Sequence, residues 1–116
     1  MSEPERIDKR DALNWLEGDE RMFLKIMAIF MKNVPAQVNQ LKVLLEGDDI
    51  AAVERAAHTI MGSSAMLGAK QMSEAAKHIE YSAIAGDMSA ARLHFVQLAE
   101  ECEKVMAELA VDGGKG

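Results

Sequence analysis

The sequence predicts an all-α protein: an up-down-up-down four-helix bundle with a short extra helix at its N-terminus. Three observations lead there. Apolar residues recur at alternating spacings of three and four through four long segments, the pattern of helices with one buried face. Ala, Leu and Met are abundant while aromatics make up only 4% of the chain, a mix that favours helix over sheet. No strand pattern, internal repeat or low-complexity tract interrupts this. With 116 residues the chain can build one core and not two.

The expected divisions are a flexible lead-in over residues 1–7, the bundle domain over 8–110, and a flexible tail over 111–116. A short helix over Asp8 to Leu16 stops near Gly18. The next begins around Asp19, with Met22, Phe23, Ile26, Met27 and Phe30 as its apolar face. Pro35 should end or kink it, because Pro lacks an N–H and disfavours helix in the residue before it. Helix resumes through Val38, Leu41 and Leu45 and closes near Gly47. Asp48 or Asp49 caps the following helix, which Gly68 terminates. The segment from Lys70 to Ala85 places Met72, Ala75, Ala76, Ile79 and Ala83 on one face. Gly86-Asp87 forms a turn and cap, and the last helix uses Met88, Ala91, Phe95, Leu98, Cys102, Val105 and Leu109. Gly113 to Gly116 should fray.

Charge and composition exclude several classes of function. A net charge of −6 disfavours nucleic acid and anionic membranes as partners. No apolar run is long enough to span a bilayer, and no signal peptide or lipidation motif is present, so a cytoplasmic location is expected. Cys102 has no cysteine partner and falls on an apolar stripe, reading as a buried free thiol. No Gly-rich phosphate loop marks a nucleotide-binding domain, which excludes an autokinase.

One histidine stands out. Ile50, Val53, Ala57, Ile60, Ser64 and Leu67 form the buried stripe of the third long segment. At about 100° per residue, His58 lies roughly 130° from the centre of that stripe and should face water. Gly62 follows at i+4 and Ala65 at i+7. A glycine inside a helix costs about 1 kcal/mol relative to Ala, so its presence suggests a use. The simplest use is clearance for a bulky group approaching the ring. Exposed histidines are common, and His78 and His94, which lack this context, read as surface or flanking residues. Gly62 also admits a packing role, Ser63 and Ser64 a role in bonding back to their helix, and Glu80 a solvated one.

The run His58-Thr59-Ile60-Met61-Gly62-Ser63-Ser64-Ala65-Met66-Leu67-Gly68-Ala69 resembles the signature of the histidine phosphotransfer (HPt) domain, commonly His-Thr-Leu-Lys-Gly-Ser-Ser-Ala-Asn-Leu-Gly-Ala. Met61 stands where Lys is usual, and Met66 where Asn is usual. The likeness extends over Asp8 to Leu109, including the acidic Leu16 to Glu20 opening and the Gly86-Asp87 turn.

This resemblance implies a phosphocarrier without turnover of its own. His58 would be the phosphorylated nucleophile, relaying a phosphoryl group between aspartates of response-regulator receiver domains. It further implies Glu80 as acceptor for the His58 Nδ1–H, leaving Nε2 free. Gly62 and Ser63 are expected to support the site, and Arg55, Met61 and Ala65 to meet the partner. Arg55, at i−3, is a candidate to offset the charge that Met61 does not carry. No cofactor or metal is expected in this chain, Mg²⁺ being brought by the receiver. Receiver domains or a hybrid sensor histidine kinase are the expected partners, and the expected state is a monomer.

Two other readings compete. One is a bundle that regulates a receiver or kinase without phosphorylation. The other is a metal-binding bundle; against it, Glu54/His58 and Glu74/His78 sit at i+4 rather than the Glu-x-x-His spacing of di-iron bundles.

Overall fold

The computed structural model describes residues 6–115, with side chains described through residue 111. Five helices and no strand occupy the described residues: α1 (Lys9–Trp15), α2 (Glu20–Leu44), α3 (Ile50–Leu67), α4 (Lys70–Ile84) and α5 (Met88–Lys115). Each long helix packs on the next along the chain, α5 also returns to α2, and α3 and α4 share the most extensive contact.

Aspartates start most of these helices. Asp8, Asp19, Asp49 and Asp87 each accept, through Oδ1, the backbone N–H three residues on, at 3.0–3.1 Å. Such caps satisfy amides that have no partner within the helix. Asp49, not Asp48, caps α3. α4 follows directly, with Ala69 at its N-cap position and no side-chain cap. Gly68 there adopts φ +84°. Its N–H donates to the Ala65 carbonyl and that of Ala69 to the Ser64 carbonyl, a Schellman closure of α3. A Cβ on Gly68 would collide with the Asp8 backbone, so the position demands glycine on two grounds.

The core is the sum of the apolar stripes. Phe23, Met27, Phe30, Val34, Val38 and Leu41 of α2 meet Val53, Ala57, Ile60 and Leu67 of α3. Met72, Ala75, Ala76, Ile79 and Ala83 of α4, and Ala91, Leu98, Cys102, Val105 and Leu109 of α5, complete it. Ile50, expected on the α3 stripe, is 39% exposed at its first turn. Burial holds the Cys102 thiol pKa up, with Glu103 adding to the effect.

Three expectations need correction. Pro35 does not end the second segment: α2 runs through it as a single helix. Pro35 lies on the exposed face, while Val34 and Val38 beside it are buried. Their packing offsets the cost of about 3 kcal/mol that proline imposes on a helix interior. At the N-terminus, residues 6 and 7 are fixed rather than part of a lead-in, with Ile7 only 5% exposed in the core. The Arg6 N–H donates to Glu108, and the Asp8 N–H donates to the Gly68 carbonyl at 2.8 Å. Residues 1–5 lie outside the described residues. At the other end, α5 continues to Lys115, past the last buried stripe residue, Leu109. Extending a formed helix adds one hydrogen bond per residue, so the tail expected from 111 follows the helix; Gly116 lies outside the described residues.

Candidate functional site

His58 sits mid-way along α3, its side chain 64% exposed. The register of α3 against α4 decides what surrounds it. Ser73 Oγ donates to the Met61 carbonyl at 3.2 Å, and Glu80 meets His58, so residues advance along α4 as they recede along α3. The two helices therefore run antiparallel, joined by the tight turn at Gly68.

That register sets Glu80 against the histidine ring. His58 Nδ1 lies 2.9 Å from Glu80 Oε2, and the Glu80 side chain is only 12% exposed. A carboxylate only accepts, so Nδ1 carries a proton and donates it to Glu80. The ring is thus held in one orientation, with Nε2 on the side away from the carboxylate.

Gly62 follows one turn later. It is exposed, and a Cβ built on it would meet nothing within 4 Å. Nothing in the fold therefore requires glycine here, in contrast to Gly68. The exposed surface of α3 one turn after His58 is open.

The remaining residues singled out in the sequence divide. Arg55 is exposed one turn before His58, with its carbonyl accepting from Thr59 Oγ1 at 3.0 Å. Ala65 is exposed two turns after His58 and lines a groove of about 570 Å³ between α1, α3 and α4, together with Trp15, Leu16 and Met66. Ser63 is not brought to the His58–Glu80 pair. Five residues on, it is turned about 140° from His58, and it lines a second groove against α2 with Ile26, Phe30 and Gln37. Met61 is only partly available as a docking group, because it is half-buried and packs against the core. Ser64 is fully buried and donates to the Ile60 carbonyl at 2.7 Å, a structural role.

Sequence reasoning missed one feature of this surface: Trp15 is 80% exposed at the edge of the larger groove, near Met66, which is 57% exposed and belongs to both grooves. The available signal was the lone tryptophan of an aromatic-poor chain, standing where α1 ends. His78 and His94 also meet unexpectedly, their rings stacked with centroids 5.0 Å apart on the α4–α5 side. Among the described residues, no group of three or more His, Cys, Asp or Glu is placed to hold a metal ion, and no helix is long and apolar enough to cross a membrane.

Comparison with curated proteins and with solved structures yields no match. The family comparison is decisive: the model of the Hpt domain matches residues 25–110, which span His58, Gly62 and Glu80, and the chain belongs to the Hpt family.

Proposed function

We propose that this protein is a phosphocarrier whose His58 receives a phosphoryl group from the aspartyl phosphate of one receiver domain and delivers it to the aspartate of another. The observation that carries the reading is the exposed imidazole fixed by Glu80 beside an open glycine. The Nε2 lone pair forms the P–N bond as the P–O bond to the aspartate breaks, and the aspartate carboxylate leaves. The ring keeps its Nδ1 proton, and the positive charge it gains faces Glu80 Oε2. Transfer onward reverses these steps. Such chemistry asks the protein mainly for positioning and charge compensation. A bundle with one well-held ring is sufficient for that, Mg²⁺ being supplied by the receiver.

The docking surface centres on His58 and takes in Arg55, Gly62, Ala65 and the exposed edge of Met61. The grooves beside α1 and α2, with Trp15 and Met66, extend it. Transient signalling contacts bury less than the roughly 800 Å² per partner of a stable interface, so binding is weak and fast-exchanging. The carrier acts as a cytoplasmic monomer, its four long helices alternating in direction as their short connections favour. Its donor is a receiver, free-standing or part of a hybrid sensor kinase.

The test is phosphoryl transfer from a phosphorylated receiver to the wild type and to His58→Gln. An acid-labile, alkali-stable label on the wild type alone supports the relay. Binding without transfer across a broad panel of receivers supports instead a regulator that works without phosphorylation, the reading that Met61 in place of lysine favours.

A further inference from the structure

A phosphoryl group on His58 brings between one and two negative charges to a neighbourhood that is already acidic. Glu80 touches the ring, and Glu54 lies one turn before it, half-buried. Met61, one turn after, brings no charge. Some cation must offset the group, and α3 itself offers only Arg55, one turn toward its N-terminus.

The α3–α4 register supplies another. Ser73 and Glu80 lie on the α3-facing side of α4 and contact Met61 and His58 respectively. Lys77 stands between them, four residues after Ser73 and three before Glu80, on the same flank. It is therefore level with the stretch of α3 between His58 and Met61. Its side chain is half-buried, and Nζ rests 5.6 Å from the ring centroid of Tyr81, the residue next to Glu80. A lysine stem spans the seam between packed helices, and a surface cation–π contact holds it by only about 0.5–1 kcal/mol. A phosphoryl group offers more than that.

Resting on the phosphocarrier reading, we infer that Lys77 of α4 is the cation that neutralises the phosphoryl oxygens on His58, a charge reaching the site from the adjacent helix. Arg55, exposed on the same face of α3 as Gly62, is left to meet the partner.

A cation beside a phosphoryl group favours its dianion and lowers its second ionisation. The full-length protein is loaded on His58 with phosphoramidate, which needs no receiver, and the ³¹P resonance is titrated. Lys77→Ala should raise the midpoint by about half a unit or more, shorten the phosphohistidine lifetime and slow transfer from a receiver several-fold. Lys77→Arg should restore all three, as should Met61→Lys placed on Lys77→Ala, which returns the charge from α3. A residue needed only for folding would not move the midpoint. An unchanged midpoint in Lys77→Ala overturns the inference even where relay proceeds, and so does a shift carried by Arg55→Ala instead. Failure of every receiver to transfer, with the Lys77-dependent shift intact in phosphoramidate-loaded protein, defeats the relay reading and supports the placement of Lys77.

Discussion

Replacing Gly62 with alanine should make the protein more stable and a worse phosphate acceptor. The position is exposed within α3, and a Cβ meets nothing within 4 Å, so the methyl adds no clash. Alanine gains about 1 kcal/mol over glycine in a helix interior. For a chain of 116 residues that gain raises the melting temperature by about 4 °C. The same methyl stands one turn from His58, on the exposed face of α3 that the two share. In-line attack needs the reacting atoms about 3–3.5 Å apart, and a misplacement near 1 Å costs on the order of 100-fold. A partner that tilts to avoid the methyl recovers part of this, so a fall of at least about tenfold is expected, equivalent to some 1.4 kcal/mol on the barrier. Thermal unfolding by circular dichroism reads the first effect, and rapid-quench transfer from a phosphorylated receiver reads the second. A higher melting temperature with unchanged transfer refutes the clearance argument. A lower melting temperature shows that the glycine serves the fold.

Glu80→Ala should slow transfer by a factor of a few to about ten, since the hydrogen bond it removes is charge-assisted but at an exposed ring. Glu80→Gln, which keeps an acceptor, should fall between it and wild type, and equal rates for all three would exclude the tautomer role. Ile60→Ala removes a fully buried core side chain of α3, and should cost about 2–5 kcal/mol in urea unfolding; a loss below about 1 kcal/mol would show that α3 repacks. Cys102, buried and with its thiol pKa held up by burial, should resist a disulfide reagent at pH 8 until the protein is denatured. Fast labelling of the native state would mean that α5 opens locally.

Helix positions were legible because local chemistry and periodicity agreed. An aspartate at each of four starts and Gly68 and Gly86 at two ends carry their own physical reasons, independent of the rest of the chain. Pro35 was misleading because a local penalty was outweighed by burial of Val34 and Val38, which only the assembled core reveals. The lead-in was misread for a related reason: Ile7 looks like a stray apolar residue until Glu108 and Gly68, far away in sequence, are seen to hold its neighbours. At the site, the outward direction of His58 followed from helical phase, and Glu80 from family resemblance. The side chains that face the ring from α4 could not be ranked without the register of two helices. That register separates Lys77 from the other surface lysines. Phase also moves Ser63 to the α2 side, five residues being nearly one and a half turns.

The exposed Trp15 gives the molecule a built-in optical reporter. It is the only tryptophan, it belongs to the rim of the groove beside Ala65 and Met66, and its indole stands in water. A partner that covers the His58 surface and reaches α1 will move that indole into a drier setting and shift its emission to the blue. A receiver that contributes no tryptophan can therefore be titrated against the unlabelled protein, and the encounter followed in real time. A partner that grips only the α4–α5 side, near His78 and His94, will leave the spectrum unchanged. Emission colour thus distinguishes two modes of engagement before any phosphate is added.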